Sequence, residues 1–306
     1  MFTRREMLRT AAAAAVVAGL SPLSTLRAAD PKKKRRLLVY TRSAGFQHPV
    51  VETSHKRPSL VDAVWTELAA RHNFDVECTK DGRVFIPEYL DRFDAFFFYT
   101  TGDLTAEKST DDTPPMWKAG KKALLDAVAG GKGFLGSHCA SDTFHSPGET
   151  NRNQEADKLD PYIAMVGGEF IRHGDQQEST MHVVDSLFPG LRGVADFRVK
   201  EEWYALKNFQ PDLHVLLTQE TSGMKGQDYQ RPNFPATWAR MHGKGRVFYT
   251  SMGHREDVWT NPVFQNLLVG AFSWATGQVD ADLSPNLNRA APEGMQLPNY
   301  TEKKKK

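Results

Sequence analysis

The 306-residue sequence predicts an α/β fold in which a mostly parallel β-sheet is covered by helices on both faces. Two observations predict this class. Short apolar stretches alternate with amphipathic stretches over residues 37–138, as in strands joined by crossover helices. The stretch FDAFFFYTTGD is apolar almost without a break, which is typical of a strand buried on both faces.

The first half of the chain gives four strands and two helices. Residues 37–40 predict the first strand, and SLVDAVWTELAARH predicts a helix because Leu60, Val64 and Leu68 share one face. FDVECT and FDAFFFYTTGD predict the second and third strands. MWKAGKKALLDAVAGG predicts a helix that ends at its two glycines, and KGFLGSH predicts the fourth strand.

The second half is richer in strands. KLDPYIAMVGG predicts a short helix, and FQNLLVGAFSWATG predicts the last helix. Between them, five segments have the composition of strands: MHVVD, EEWYAL, HVLLTQE, PATWAR and GRVFYTSM. We therefore expect one flavodoxin-like domain over residues 37–277, with additional antiparallel strands between residues 170 and 240.

The two ends of the chain differ from this domain. Residues 1–29 combine a basic start, an apolar stretch and small residues near Ala28, which predicts a secretory signal, and TRREML predicts its twin-arginine form. We expect a periplasmic or secreted protein with no stable membrane insertion after signal cleavage; an uncleaved amphipathic anchor is the alternative. Residues 30–36 are predicted to be a basic linker, and residues 278–306 a polar tail.

The composition of the chain limits the classes of molecule that it is expected to bind. The net charge is +2 with 25% charged residues, so no basic surface for nucleic acid is indicated. The chain has two cysteines, Cys78 and Cys139, so one disulfide is possible, although their spacing does not support it. The oligomeric state is not indicated by any pattern in the sequence.

Polar residues gather where the predicted strands end. In an open parallel sheet, ligands bind outside the carboxyl ends of the strands. His48 follows the first strand, Thr101 the third, and His254 the strand GRVFYTSM, while the fourth strand is followed by three polar residues, His138, Asp142 and His145. We predict that His48, His138, His145 and His254 converge on one cleft. A loop-capping role for His48 and a helix-capping role for Asp142 remain open.

The turn after the fourth strand has the pattern of a nucleophile elbow, in which small residues flank the nucleophile. Here the order is Gly136-Ser137-His138-Cys139-Ala140, so the nucleophile position holds an imidazole. Because Cys139 is one residue out of register, we predict that its thiol is not a nucleophile.

Six segments carry a family resemblance: GFQH, GKGFLGSHCASDTFH, MVGGEFIRHG, EEWYAL, PATWARMHGKGRVFYTSMGHREDVW and LLVGAFSWATG. With these the sequence resembles the trehalose-utilisation ThuA-like family, part of the class I glutamine amidotransferase-like superfamily. The resemblance implies a flavodoxin-like fold and a link to sugar metabolism, beside oxidoreductases that make 3-keto sugars. His254-x-Glu256 is similar to two members of the amidotransferase Cys–His–Glu triad, but the elbow cysteine is missing, so we expect no glutaminase activity.

The leading hypothesis is an enzyme that acts on 3-keto-glycosides or related sugars by acid–base elimination, hydrolysis or isomerisation. The predicted catalytic residues are His138, Asp142, His145, Glu202 and His254, and the predicted sugar contacts are His48, Thr101, His173, Trp203 and Tyr204. For the segment EEWY, an ordinary half-buried strand without a functional role is an equally supported interpretation.

A divalent metal ion is the one cofactor that this residue set indicates, with His138, His145, His173 and His254 as ligands. Asp142 or Glu202 would complete such a ligand set. Two other functions stay open: a non-catalytic carbohydrate-binding module, and a divergent amidotransferase-like hydrolase that uses Cys139.

Overall fold

The computed structural model describes residues 34–54 and 57–300. The predicted signal sequence, the first residues of the predicted linker, His55 and the last six residues lie outside the described residues. Within the described ranges, no helix is long and apolar enough to cross a membrane.

Strands and helices alternate in the first half of the chain, and strands dominate the second half. The strands are β1 (Arg36–Tyr40), β2 (Asp75–Thr79), β3 (Ala95–Phe98), β4 (Gly133–Ser137), β5 (Glu169–His173), β6 (Gln177–Val183), β7 (Phe197–Glu201), β8 (Tyr204–Lys207), β9 (His214–Gln219), β10 (Phe234–His242) and β11 (Gly245–Thr250). The helices are α1 (Leu60–His72), α2 (Pro87–Leu90), α3 (Lys118–Ala129), α4 (Pro161–Val166), α5 (Glu256–Trp259), α6 (Pro262–Ala275) and α7 (Leu287–Ala290).

A nine-stranded sheet has the order β2-β1-β3-β4-β11-β10-β9-β6-β7, and β5 pairs with β8 in a separate two-stranded sheet. The strands from β2 to β11 in this order are parallel. The strands from β10 to β7 extend the sheet by antiparallel pairing. The predicted mixed α/β fold with a large sheet is confirmed, and the antiparallel strands lie in the segment expected to contain them.

Helices pack on both faces of the sheet because consecutive side chains of a strand point in opposite directions. In β3, the ring centre of Phe97 lies 4.9 Å from that of Trp65 in α1. The next residue, Phe98, has its ring centre 6.1 Å from that of Tyr162 in α4. The continuous apolar run of β3 therefore contributes to two helical layers.

The segment EEWYAL is divided between two sheets and does not form one strand. Strand β7 ends at Glu201, and β8 begins at Tyr204. Because β7 belongs to the large sheet and β8 to the small one, Glu202 lies at the corner between them. The predicted single strand is corrected accordingly.

Residues 278–300, predicted as the start of a polar tail, pack on the domain. The Asn286 side chain accepts a hydrogen bond from the Val215 N–H at 2.6 Å and donates one to the Val215 carbonyl at 3.0 Å. The Arg231 guanidinium donates to the carbonyl of Gly294 at 2.6 Å, and Leu287 is buried. These contacts fix the segment against β9 and its neighbours.

Candidate active site

The turn after β4 has a strained backbone. His138 has φ of +45°, in the left-handed region that residues with a Cβ rarely adopt, and a 3₁₀ helix, His138–Asp142, begins there. The Tyr249 hydroxyl donates to the His138 carbonyl oxygen at 2.7 Å, and Nδ1 of His138 lies 3.0 Å from the Ser251 carbonyl oxygen. Contacts with β11 and the residue after it therefore hold the imidazole at the carboxyl end of the sheet.

These contacts also fix the tautomer of His138. A carbonyl oxygen can only accept, so Nδ1 carries the hydrogen and Nε2 presents a lone pair. Nε2 has no hydrogen-bond partner among residues 34–54 and 57–300 and lies 3.7 Å from Oε2 of Glu202. Burial lowers the pKa of His138, whose side chain is completely buried. The ring is therefore neutral near pH 7 and presents its lone pair toward a carboxylate.

Three imidazoles meet at this position. The ring centre of His48 lies 5.1 Å from that of His138 and 5.2 Å from that of His254, and His138 and His254 are 5.2 Å apart. Burial and then the neighbouring imidazoles lower the pKa of His48 to about 2, which keeps this ring neutral as well. The loops after β1, β4 and β11 thus bring together three of the four histidines that were predicted to converge.

Glu202 completes the group. Its Oε2 lies 3.0 Å from Nδ1 of His254, although that nitrogen is not aligned for a hydrogen bond. One ligand atom each from His48, His138, Glu202 and His254 lies within 4.8 Å of the others. We call these four residues the histidine–glutamate cluster.

Glu201 supports the loop that carries His254. Its Oε1 accepts hydrogen bonds from the N–H groups of Gly253 at 2.6 Å and His254 at 3.0 Å. Burial raises the pKa of Glu201 to about 7. Sequence reasoning missed this residue, and its signal was a carboxylate at a strand end directly before Glu202.

His145 lies in a different network. Its Nε2 is 2.7 Å from Oδ1 of Asp142, and its Nδ1 is 3.1 Å from Oε1 of Glu169. Carboxylates only accept, so both ring nitrogens donate and the ring is an imidazolium. Burial alone would lower the pKa of His145, but these two partners raise it to about 9. His145 therefore has no lone pair for a metal, and its predicted place in the ligand set is corrected.

Tyr204 and His173 lie beside the cluster. The Tyr204 ring centre is 3.9 Å from that of His138, and its hydroxyl lies 3.5 Å from Nε2 of His48. His173 is half-exposed, with Nδ1 3.1 Å from the Gly174 carbonyl oxygen and 3.4 Å from Oε1 of Glu202. Tyr204 therefore forms a wall of the cluster, and His173 lies at its rim rather than among the four converging groups.

Two predicted sugar contacts have other roles. Trp203 is completely buried, and its indole N–H donates to the Gln177 carbonyl at 2.9 Å, so it has no free face for a sugar. The buried Thr101 hydroxyl donates to the Phe46 carbonyl at 2.8 Å and accepts from the Gly45 N–H at 3.2 Å. Trp203 is thus a core residue, and Thr101 fixes the loop that leads to His48.

A cavity of about 400 Å³ opens beside His254. It is lined by Pro49, Val50, Gln176, His254, Arg255, Glu256 and Asp257. In the cluster, the side chains of Glu202 and His254 each keep 13% exposure, whereas His48 and His138 are closed off. The carboxylate beside His254 is Glu202, while Glu256 is exposed, so the similarity of His254-x-Glu256 to an amidotransferase pair does not extend to its geometry.

Fold and site define a mixed α/β protein with a buried histidine–glutamate cluster at the carboxyl end of its parallel strands. The sequence profile of the trehalose-utilisation family, ThuA, matches residues 36–275, and the chain belongs to this family. The resemblance found in the sequence is thereby confirmed.

Solved structures agree with this assignment. A ThuA-like protein from Bacteroides uniformis has 20% sequence identity and a TM-score of 0.57, over 79% of this chain and 91% of its own. A ThuA-like protein from Parabacteroides merdae has 17% identity and a TM-score of 0.55, over 82% and 92% of the two chains. A search of curated proteins finds no match. At these identities, the likeness shows a shared fold.

Proposed function

We propose that the chain is an exported enzyme of sugar catabolism that acts on 3-keto-glycosides or related keto sugars by proton transfer beside the carbonyl. The observation that carries this proposal is the histidine–glutamate cluster, in which buried imidazoles and one carboxylate converge within 4.8 Å beside an open cavity. Membership of the trehalose-utilisation family supports a sugar as the substrate.

The reaction is an elimination. A ketone at C3 acidifies the neighbouring C2–H bond, so a base can remove that proton. The C1–O bond then breaks, a double bond forms between C1 and C2, and an acid protonates the leaving oxygen. The products are an unsaturated keto sugar and an alcohol, and the enolate oxygen that develops at C3 requires nearby positive charge or hydrogen-bond donors.

Two half-exposed histidines fit the proton transfers. Nδ1 of His173 donates to the Gly174 carbonyl, which leaves Nε2 with a lone pair suited to a base. His145 is held protonated by Asp142 and is suited to an acid. Both rings have the Phe170 ring as a neighbour, with centres 6.2 and 6.5 Å away. The buried cluster adjoins this pair, because Oε1 of Glu202 lies 3.4 Å from Nδ1 of His173. Since Glu202 is a carboxylate, hydrogen-bond donors rather than the charge of the cluster must stabilise the enolate.

The test measures turnover of an aryl 3-keto-glucoside, with release of the phenol as the readout. We expect His145→Ala and His173→Ala, which remove the acid and the base, to slow turnover by about 10²–10⁴-fold, the usual contribution of one well-placed group. His138→Ala and His254→Ala, which disrupt the adjoining cluster, should slow turnover as well. His72→Ala is the matched control, because His72 is exposed at the end of α1. If the protein binds the sugar but none of the variants at His138, His145, His173 and His254 changes turnover, the proposal of an enzyme is rejected in favour of a carbohydrate-binding module.

A hydrolase that uses Cys139 has less support. The thiol is 1% exposed, and burial raises the pKa of Cys139 well above its usual value, which disfavours the reactive thiolate. We expect Cys139→Ala to retain most of the turnover. A variant as inactive as His138→Ala would favour the thiol mechanism instead.

The finer assignments of fold and location belong to the same proposal. The order β2-β1-β3-β4-β11 of the parallel strands supports a flavodoxin-like arrangement of the amidotransferase-like type. The segment TRREML supports export by the twin-arginine route. Cell fractionation of the protein with its arginine pair intact, compared with Arg4→Lys/Arg5→Lys, tests the route; equal export of the two would contradict it.

A further inference from the structure

We propose that His48, His138, Glu202 and His254 form a binding site for one first-row divalent cation, with Zn²⁺ as the reference ion. A role of this ion in the reaction rests on the proposed function. Cation binding itself can be measured without turnover. The ligand set differs from the one predicted from the sequence, because His48 is included and His145 and His173 are not, while His138, His254 and Glu202 belong to both.

Unpartnered nitrogen atoms carry the inference. Nδ1 of His48, Nε2 of His138 and Nδ1 of His254 are buried and have no aligned hydrogen-bond partner in the part of the chain that the structure describes. The last two lie 3.7 and 3.0 Å from Oε2 of Glu202. Buried polar atoms are almost always hydrogen-bonded, so each exception requires a physical reason. Three such exceptions on three neighbouring rings have one reason in common if each nitrogen is a metal ligand.

The arrangement of the rings fits an ion. The three ring centres form a nearly equilateral triangle with sides of 5.1, 5.2 and 5.2 Å, and the ring planes are steeply inclined to one another. A tetrahedral ion with metal–nitrogen bonds of about 2.0–2.1 Å places imidazole centres about 5 Å apart. The four ligand atoms lie within 4.8 Å of one another, compared with roughly 3.3 Å in a tetrahedral shell, so binding requires the rings to turn their nitrogens toward a common centre without changing the spacing of the ring centres.

Charge also favours a cation. Among the described residues, Glu202 has ion-pair contacts with His138, His173 and His254 and with no lysine or arginine. A largely buried carboxylate without a cationic partner is costly. Nε2 of His138 adds a lone pair 3.7 Å from Oε2 of the same carboxylate. A divalent ion between these atoms would offset the cost of the buried carboxylate and remove the repulsion between it and the lone pair of His138.

Outer contacts orient the ligands, as in known metal sites. The Nδ1–H of His138 is held by the Ser251 carbonyl, and Nε2 of His48 lies beside the Tyr204 hydroxyl. In each ring the opposite nitrogen is buried and available as a ligand. Three imidazoles with one carboxylate suit zinc, iron or nickel better than magnesium or calcium, which prefer oxygen ligands. When bound, such an ion supplies Lewis acidity for a carbonyl oxygen.

The first experiment measures binding to the full chain. Protein purified without chelators is examined by elemental analysis, stripped with a chelator, and titrated with Zn²⁺ by calorimetry. We expect one ion per chain, a visible absorption band when Co²⁺ replaces Zn²⁺, and a rise in melting temperature with added Zn²⁺ because the ion binds only the folded state. Binding well below one equivalent would overturn the site and leave a proton shared between Glu202 and a histidine as the explanation.

Variants assign the ion to the cluster. We expect Glu202→Gln, His254→Gln and His138→Gln to weaken Zn²⁺ binding by at least about 100-fold, since even outer-contact changes cost 10–100-fold. His72→Gln, which removes an exposed histidine, should bind like the unmodified chain. Glu202 and His254 reach the surface, so their variants decide the result if His138→Gln does not fold. Unchanged binding by both would contradict the assignment.

The outcome is separable from the proposed function. A protein that binds one Zn²⁺ through the cluster but does not convert keto-glycosides supports the metal site and rejects the reaction. If the metal-free protein converts keto-glycosides at the full rate, binds no ion, and is not made faster by added Zn²⁺, the result supports the reaction and rejects the metal site.

Discussion

His138 combines a special side-chain position with a strained backbone, φ +45°. A residue with a Cβ in this region costs about 1–2 kcal/mol relative to glycine. Substitution by glycine and by alanine removes the same ring, so their difference isolates the backbone term. We expect His138→Gly to have a free energy of unfolding about 1 kcal/mol higher than His138→Ala, measured by urea denaturation.

A matched pair in α3 gives the opposite order. Lys122 is an interior helical position, where alanine is more stabilising than glycine by about 1 kcal/mol. Lys122→Ala should therefore be more stable than Lys122→Gly. If alanine is also the more stable residue at position 138, the left-handed conformation there is not a source of strain.

His145 makes stability depend on pH. The folded state raises the pKa of His145 to about 9, above the value of an unfolded histidine. Its contribution is therefore fully present below about pH 6.5 and is lost as the pH rises through about 9. We expect His145→Gln to be less stable than the unmodified chain near neutral pH, with the difference shrinking at alkaline pH. Thermal unfolding across that range measures it, and a constant difference would contradict the imidazolium.

Residue types and strand ends were sufficient to predict most of the cluster. His48, His138 and His254 were predicted because each follows a parallel strand, and Glu202 because of its aromatic neighbours. The separation of His145 from them was not predictable, since it depends on Glu169, which comes from another strand. Burial of Trp203 was equally hidden, because the sequence does not show which side of the corner after β7 its ring occupies.

At the scale of elements, the loop after β11 connects the sheet to the cluster. Gly253 has φ of +122°, and a Cβ there would lie 2.6 Å from Oγ of Ser137. We expect Gly253→Ala to lower the free energy of unfolding by about 1–3 kcal/mol and to reduce turnover, because the displaced residue precedes His254. Urea denaturation and the keto-glucoside assay measure the two effects.

Gly223 provides the comparison for this loop. It also has positive φ, +79°, but a Cβ there would meet no atom of the described residues within 4 Å. Gly223→Ala should therefore cost less stability than Gly253→Ala and leave turnover unchanged. Equal effects at both positions would show that close packing against Ser137 is unimportant.

Elements were predicted well where one local pattern decides them. The apolar run of β3 and the four-residue spacing of Leu60, Val64 and Leu68 in α1 each indicate a single structure. The division of EEWYAL between β7 and β8 was not predictable, because both halves favour strands and only pairing with distant β6 and β5 separates them. That division gives Glu202 its place, so the least predictable element boundary lies at the site itself.

At the scale of the whole molecule, the segment after α6 closes the domain. Asn286 is buried and makes two hydrogen bonds to the backbone of Val215. Its removal leaves these backbone groups unpaired, at a cost of about 1–3 kcal/mol. We expect Asn286→Ala to lower the melting temperature by about 5 °C, measured by calorimetry.

Asn288 is the control for this segment, since it lies two residues further on and is exposed. Asn288→Ala should leave the melting temperature unchanged. An Asn286→Ala protein as stable as this control would mean that the contacts of Asn286 with Val215 do not stabilise the domain.

The position of β11 determines when the site can form during synthesis. This strand lies between β4 and β10, although it is the last strand of the chain. A nascent chain that ends at β10 therefore has an open edge on β4, where unpaired backbone groups invite association with other chains. It also lacks His254. The cluster is thus completed late, after almost the whole domain has been synthesised, and a chain that ends at β10 has neither the complete site nor a continuous sheet.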